Sequence, residues 1–133
     1  MNTRWAVAHR QNVLIVALTI FGEAAGESVQ GKRAVASVIW TRADGNPNAL
    51  AVVCKAPKQF SCWNNGAPLI PNDAPSRKAW VECVKIASSM ATGAFTPTIR
   101  ATHYHSGKAP KWAASMRLVA TIGGHRFYGE VRR

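Results

Sequence analysis

The chain reads as an α+β domain, helices first and a small antiparallel sheet last. Three observations carry that reading. Apolar residues recur at helical spacing up to about residue 92, broken at Gly22, at Asp44-Gly45-Asn46-Pro47 and at Gly93. Alternation then takes over in Ile99-Arg100-Ala101-Thr102-His103-Tyr104-His105, and again in His125-Arg126-Phe127-Tyr128 behind Gly123-Gly124. The length of 133 residues, 47% of them hydrophobic, suits one domain with a real core, and no repeat divides it. Residues 1–133 are therefore one unit.

Taken in order, residues 11–22 fit a buried helix that Gly22 ends. Arg4 and Arg10 precede its apolar run much as a charged start precedes a signal peptide's core. That run, residues 13–21, is too short to span a bilayer and leads straight into Glu23, so it is read as core. Residues 29–43 fit a second helix, with Val35, Val38, Ile39 and Ala43 inside and Lys32, Arg33 and Arg42 outside. Residues 57–75 are irregular and hold four prolines. Their aromatics, Phe60 and Trp63, favour an ordered binding loop over a disordered one. Residues 76–92 form the clearest helix: Ser76 caps it, Trp80, Cys83, Val84, Ala87 and Met90 form its apolar stripe, and Gly93 stops it. Residues 99–105 and 125–128 pair as strands, with a helical turn or loop over residues 112–116 between them.

The net charge of +11 calls for a polyanionic partner or environment, either nucleic acid or a bacterial envelope rich in phosphate and carboxylate. No run of basic residues marks a dedicated tail. Three cysteines, Cys54, Cys62 and Cys83, are an odd number for a secreted disulfide framework. Reduced thiols fit best, with a Cys54–Cys62 bridge still open.

Two of only six acidic residues, Glu23 and Glu27, sit in Gly22-Glu23-Ala24-Ala25-Gly26-Glu27, directly after the apolar run. Desolvation there would favour a protonated carboxyl, which is what a general acid needs. Gly26 between them makes a matched pair doubtful, and Glu27 equally suits the start of the next helix. Gln59-Phe60-Ser61-Cys62-Trp63 sets aromatic faces beside amide and hydroxyl groups, a combination that suits a sugar ring; a loop pinned by buried Phe60 and Trp63 is the equal alternative. His103 and His105 share one side of a strand, with Thr102 and Tyr104 on the other. Cleft histidines that hydrogen-bond a substrate fit better than a zinc site, since no Cys-x-x-Cys or His-Glu-x-x-His spacing supports metal. Cys62 with His103 or His125 would make a nucleophilic pair suited to a wall amidase or peptidase. A basic module that binds envelope or nucleic acid without catalysis is the third class. Nucleophile-elbow, phosphate-loop and dinucleotide fingerprints are missing from the sequence.

Five stretches together resemble the SleB/CwlJ family of cell-wall hydrolases, known from spore cortex-lytic enzymes and phage endolysins. They are Ile20-Phe21-Gly22-Glu23-Ala24-Ala25-Gly26-Glu27; Gly31-Lys32-Arg33-Ala34-Val35-Ala36-Ser37-Val38-Ile39 with Arg42; Gln59-Phe60-Ser61-Cys62-Trp63; Ala101-Thr102-His103-Tyr104-His105; and Ile122-Gly123-Gly124-His125-Arg126-Phe127-Tyr128. The resemblance implies a lysozyme-like domain that cuts peptidoglycan between N-acetylmuramic acid and N-acetylglucosamine, with Glu23 as catalytic acid. It implies no cofactor, no metal and no nucleic acid. A compact monomer of the phage endolysin type is expected, made in the host cytoplasm and admitted to the wall by a holin.

The shortage of other carboxylates makes a one-acid lytic transglycosylase attractive, with hydrolysis using Glu27 to position water as the other route. Gln59, Phe60, Ser61, Trp63, Thr102, His103, Tyr104, His105, Trp112 and His125 are the expected substrate contacts, Trp63 and Trp112 by stacking. Lys108, Lys111, Arg117, Arg126, Arg132 and Arg133 are expected to attract anionic envelope polymers, an attraction that salt screens.

Overall fold

The computed structural model describes residues 3–57 and 59–131, so Arg132 and Arg133 lie outside the described residues. Four helices, α1 (Thr3–Ala24), α2 (Val29–Arg42), α3 (Leu50–Lys55) and α4 (Ala74–Ala91), come first. Three strands follow, β1 (His103–His105), β2 (Arg117–Ile122) and β3 (His125–Gly129), in one antiparallel sheet ordered β1-β3-β2. Short 3-10 turns occupy Pro47–Ala49, Ser61–Trp63 and Lys111–Ser115. The expected α+β arrangement is therefore present, with the sheet at the C-terminal end.

The core forms around α2. Ala34, Val35, Ala36, Ser37, Val38 and Ile39 are all buried, so this helix is enclosed on every side. α1 packs on α4, α2 and α3 and contributes Val16, Ala17, Ile20 and Ala24 to the core. Ser28 caps α2 by accepting from the Gly31 N–H at 3.1 Å. Even the polar Ser37 is satisfied, donating to the Arg33 carbonyl and accepting from the Thr98 N–H at 2.9 Å.

Several boundaries differ from expectation for local reasons. α1 runs through Gly22 to Ala24, because Gly22 is a contact glycine: a Cβ there would fall 2.5 Å from Cys62 Cβ. α4 starts at Ala74, capped by Asp73 accepting from the Ser76 N–H at 3.0 Å; Ser76 is the donor, not the cap. The first strand shrinks to β1. The chain before it hydrogen-bonds sideways to α2 through Thr98, and only Thr102 extends the pairing, by its N–H to the Tyr128 carbonyl. The strand β2 escaped sequence reading, since Leu118 is exposed and a register shift between Leu118 and Ala120 breaks the alternation. The short α3 was likewise not anticipated.

Lys32 is the largest departure. Placed outside by periodicity, it is 2% exposed. Its ammonium pairs with Glu82 Oε1 of α4 at 3.4 Å and donates to the Glu27 carbonyl. One buried cation thus joins α2, α4 and the α1–α2 turn. Removing only one partner of such a pair leaves a charge stranded. We expect Lys32→Met to lower stability by about 3 kcal/mol, and Lys32→Met with Glu82→Leu to recover much of it, read by chemical denaturation.

Candidate active site

Glu23 sits on the last turn of α1, where three donors converge on its carboxylate. Tyr104 Oη donates to Oε1 at 2.5 Å. The Cys62 N–H, at 3.2 Å, and the Ser61 hydroxyl, at 3.3 Å, donate to Oε2. Both oxygens are therefore oriented, one from the sheet and one from the 57–75 segment.

Each donor is held in turn. Tyr104 lies among Phe127, Phe60 and the edge of His125, with ring centroids 5.5, 6.4 and 5.1 Å away. Burial, and then the Glu23 charge, push its phenol well above its ordinary value, which keeps it a donor. The Ser61–Trp63 turn is pulled against α1 because Gly22 presents no side chain. The turn is also pinned by Trp63 Nε1, which donates to Thr19 Oγ1 at 2.8 Å, one helical turn before Glu23. Thr19 is fully buried and passes its own proton to the Ile15 carbonyl.

Glu27 does not join this group. Its Oε1 accepts from the Gly124 N–H at 2.9 Å and lies 3.8 Å from His125 Nδ1. Gly123, with φ of 56°, and Gly31 both make room, since a Cβ at either would collide with the Glu27 side chain. Glu27 therefore braces the β2–β3 hairpin, and the His125 ring stands between its carboxylate and Tyr104.

The other expected contacts divide. Gln59 is exposed on the same rim, its Oε1 accepting from Arg42 Nη1 at 3.1 Å. Phe60, expected to meet substrate, is instead fully buried beneath Tyr104, because the loop needs an apolar anchor. His103, His105 and Trp112 lie on the opposite face of β1, around Tyr128: His105 stacks on Tyr128 at 5.4 Å, and Trp112 is 5.2 Å from His103. Thr102 bonds His103 Nδ1 rather than the Glu23 group. Burial, and then the Arg42 charge, hold His103 below its ordinary value. Among the described residues no three His, Cys, Asp or Glu side chains are grouped as metal ligands.

Arg42 had been given no role by its position in the sequence. Its Nε donates to the Thr102 carbonyl at 2.7 Å and its guanidinium lies over Phe60, so it ties the 57–75 segment to β1. The available signal was a cation closing the uncharged stretch 34–41 of α2. The three cysteines are free, which answers the open Cys54–Cys62 bridge. Burial, then the Glu23 charge, push the Cys62 thiol up to about 12. Its N–H donates to Glu23 and its Sγ faces the Thr19 carbonyl, and no histidine hydrogen-bonds it among the described residues. That is the wrong setting for a nucleophilic thiolate.

Known proteins share the family and the fold. A family model described as Cell Wall Hydrolase matches residues 26–128, a segment that begins just after Glu23 and includes Glu27. Two solved structures share the fold. The catalytic domain of the germination-specific lytic transglycosylase SleB from Bacillus anthracis has 24% identity and a TM-score of 0.65, covering 90% of this chain and 94% of that one. The catalytic domain of the Bacillus cereus SleB protein has 24% identity and a TM-score of 0.63, covering 90% of each chain. No curated protein sequence matches.

The thiol environment can be read directly. With its pKa near 12, Cys62 is about one part in ten thousand thiolate at pH 8, against about one in ten for a thiol at 9.0. Alkylation by iodoacetamide at pH 8 should therefore be at least a hundredfold slower in the folded protein than in denaturant, as followed by mass spectrometry.

Proposed function

The chain belongs to the cell-wall hydrolase family, and from that premise we propose that it cuts peptidoglycan glycan strands between N-acetylmuramic acid and N-acetylglucosamine, with Glu23 as the catalytic acid and base. The observation that carries this reading is where the six acids lie. Glu27 braces the hairpin, Asp73 caps α4, Glu82 pairs with Lys32, Asp44 follows α2 and Glu130 follows β3. Glu23 alone has its carboxylate gathered by Tyr104, Ser61 and the Cys62 N–H.

A one-carboxylate route follows. Protonated Glu23 donates to the glycosidic oxygen as the bond to the muramoyl C1 breaks and oxocarbenium character develops. The carboxylate left behind is stabilised by its three donors. It then takes the proton of the muramoyl C6 hydroxyl as that oxygen closes on C1, giving a 1,6-anhydro end without consuming water. The Bacillus anthracis neighbour is described as a lytic transglycosylase, which supports this over hydrolysis. Gln59 and Ser61, exposed on the rim, are the nearest groups for orienting sugar N-acetyl and hydroxyl groups. A finer reading, supported by the resemblance to phage endolysins, is a lysis enzyme made in the host cytoplasm and released to the wall by a holin.

Digestion of purified peptidoglycan tests the chemistry. Wild-type protein should release muropeptides one water lighter than hydrolysis products. Glu23→Gln should lose activity by about a thousandfold and Tyr104→Phe by about ten- to a hundredfold, both with the fold intact by circular dichroism. Full activity in Glu23→Gln would overturn the assignment. The lysis reading predicts that cells expressing the protein in the cytoplasm lyse only once the inner membrane is permeabilised. Lysis without permeabilisation would contradict it.

A further inference from the structure

Away from Glu23, two depressions of about 610 and 430 Å³ adjoin. They share Asp44 and Arg100. Trp40 walls the larger, and Thr102, Arg117 and Glu130 line the smaller. Together they form a trough of the size that holds a small ligand. None of these four charged side chains is in an ion pair among the described residues.

Asp44 is the informative member. It is the one non-glycine residue with positive φ, 53°, among the described residues. It also puts a negative charge just beyond the C-terminus of α2, where the helix dipole is already negative. Glycine or asparagine would serve this turn better, and no internal partner offsets the charge. The backbone around it is nevertheless fixed: Asp44 N–H bonds the Thr41 carbonyl and Gly45 N–H the Trp40 carbonyl, while Trp40 packs on Phe95 at 5.5 Å. A carboxylate on a fixed, positive-φ backbone, lining a concavity without an ion-pair partner, points to a ligand.

We propose that this trough binds the stem peptide of peptidoglycan, Asp44 and Glu130 taking its free amine and Arg100 and Arg117 its carboxylates. The proposal rests on the glycan-cleaving reading for its substrate. The N-acetylated sugars are uncharged, whereas the peptide carried on muramic acid bears both signs, as the trough does. The reach is also suitable. Thr102 stands two residues, about 7 Å of extended chain, before Tyr104, which holds Glu23. An extended tetrapeptide spans up to about 14 Å, twice the stretch that separates the trough's Thr102 from the residue holding Glu23.

The test compares peptide-bearing glycan strands with strands stripped of peptide by an amidase. Wild-type kcat/KM should be about tenfold higher on the peptide-bearing strands. Asp44→Asn and Arg100→Gln should each lose most of that advantage through KM, keep wild-type rates on stripped strands, and melt no lower than wild type. Equal wild-type rates on both substrates, or variants that lose equally on both, would overturn the proposal. A second measurement, calorimetric titration with free stem tetrapeptide, is independent of cleavage. Binding that Asp44→Asn weakens supports the trough, and no binding to wild type refutes it. If wild type cuts neither glycan, the glycan-cleaving reading alone falls, and the titration still decides the trough.

Discussion

The turn between α1 and α2 is gripped from two sides, and the site depends on both grips. From inside, the buried Lys32 ammonium takes the Glu27 carbonyl and ties it to Glu82 on α4. From outside, the Glu27 carboxylate takes the Gly124 N–H and draws the β2–β3 hairpin onto the helices. Isolated ions are costly in a core, so Lys32 is stable there only because a carboxylate and a carbonyl meet it together. That requirement fixes where α1 ends, and Glu23 stands at that end. The acid's position is therefore a consequence of where a cation can be buried.

The hairpin then delivers the second half of the site. β3 places His125 and Phe127 against Tyr104, and Tyr104 reaches Glu23. Glu27 acts as a strut in this arrangement, with the rings of His125 and Tyr104 between it and Glu23. The Ser61–Trp63 turn completes the group because Gly22 lets it approach. Gly22 and the hydrogen bonds of Tyr104 and Trp63 do the aligning, while Phe60 and Phe127 fill the space behind.

Much of this was legible in the residues. Glu23 stood out because acids are scarce and an apolar run leads into it. Tyr104 and Ser61 stood out because polar groups alternate with aromatics around them. What stayed hidden depends on distant partners. Periodicity placed Lys32 outside, since no local pattern shows a carboxylate on α4 waiting for it. Gly22 looked like a helix stop because its contact, Cys62, is 40 positions along the chain. Phe60 stood open between a sugar contact and a loop anchor, and the packing of Arg42 and Tyr104 on its buried ring shows the anchor. Glu27 seemed an N-terminal helix charge because its hairpin partner lies 97 residues away.

The partners of Glu23 have a temporal meaning as well. Ser61 and Tyr104 lie 38 and 81 residues from it in sequence. The helices can gather through nearer contacts, but the two oxygens of Glu23 are both oriented only after the sheet has closed, and long-range pairings of this kind form late and slowly. A chain lacking β3 would leave Tyr104 without the strand and ring that hold it, and Glu23 Oε1 without its oriented donor. The distance along the chain between carboxylate and phenol thus ties the assembly of this hydrogen-bonded group to the completion of the whole domain.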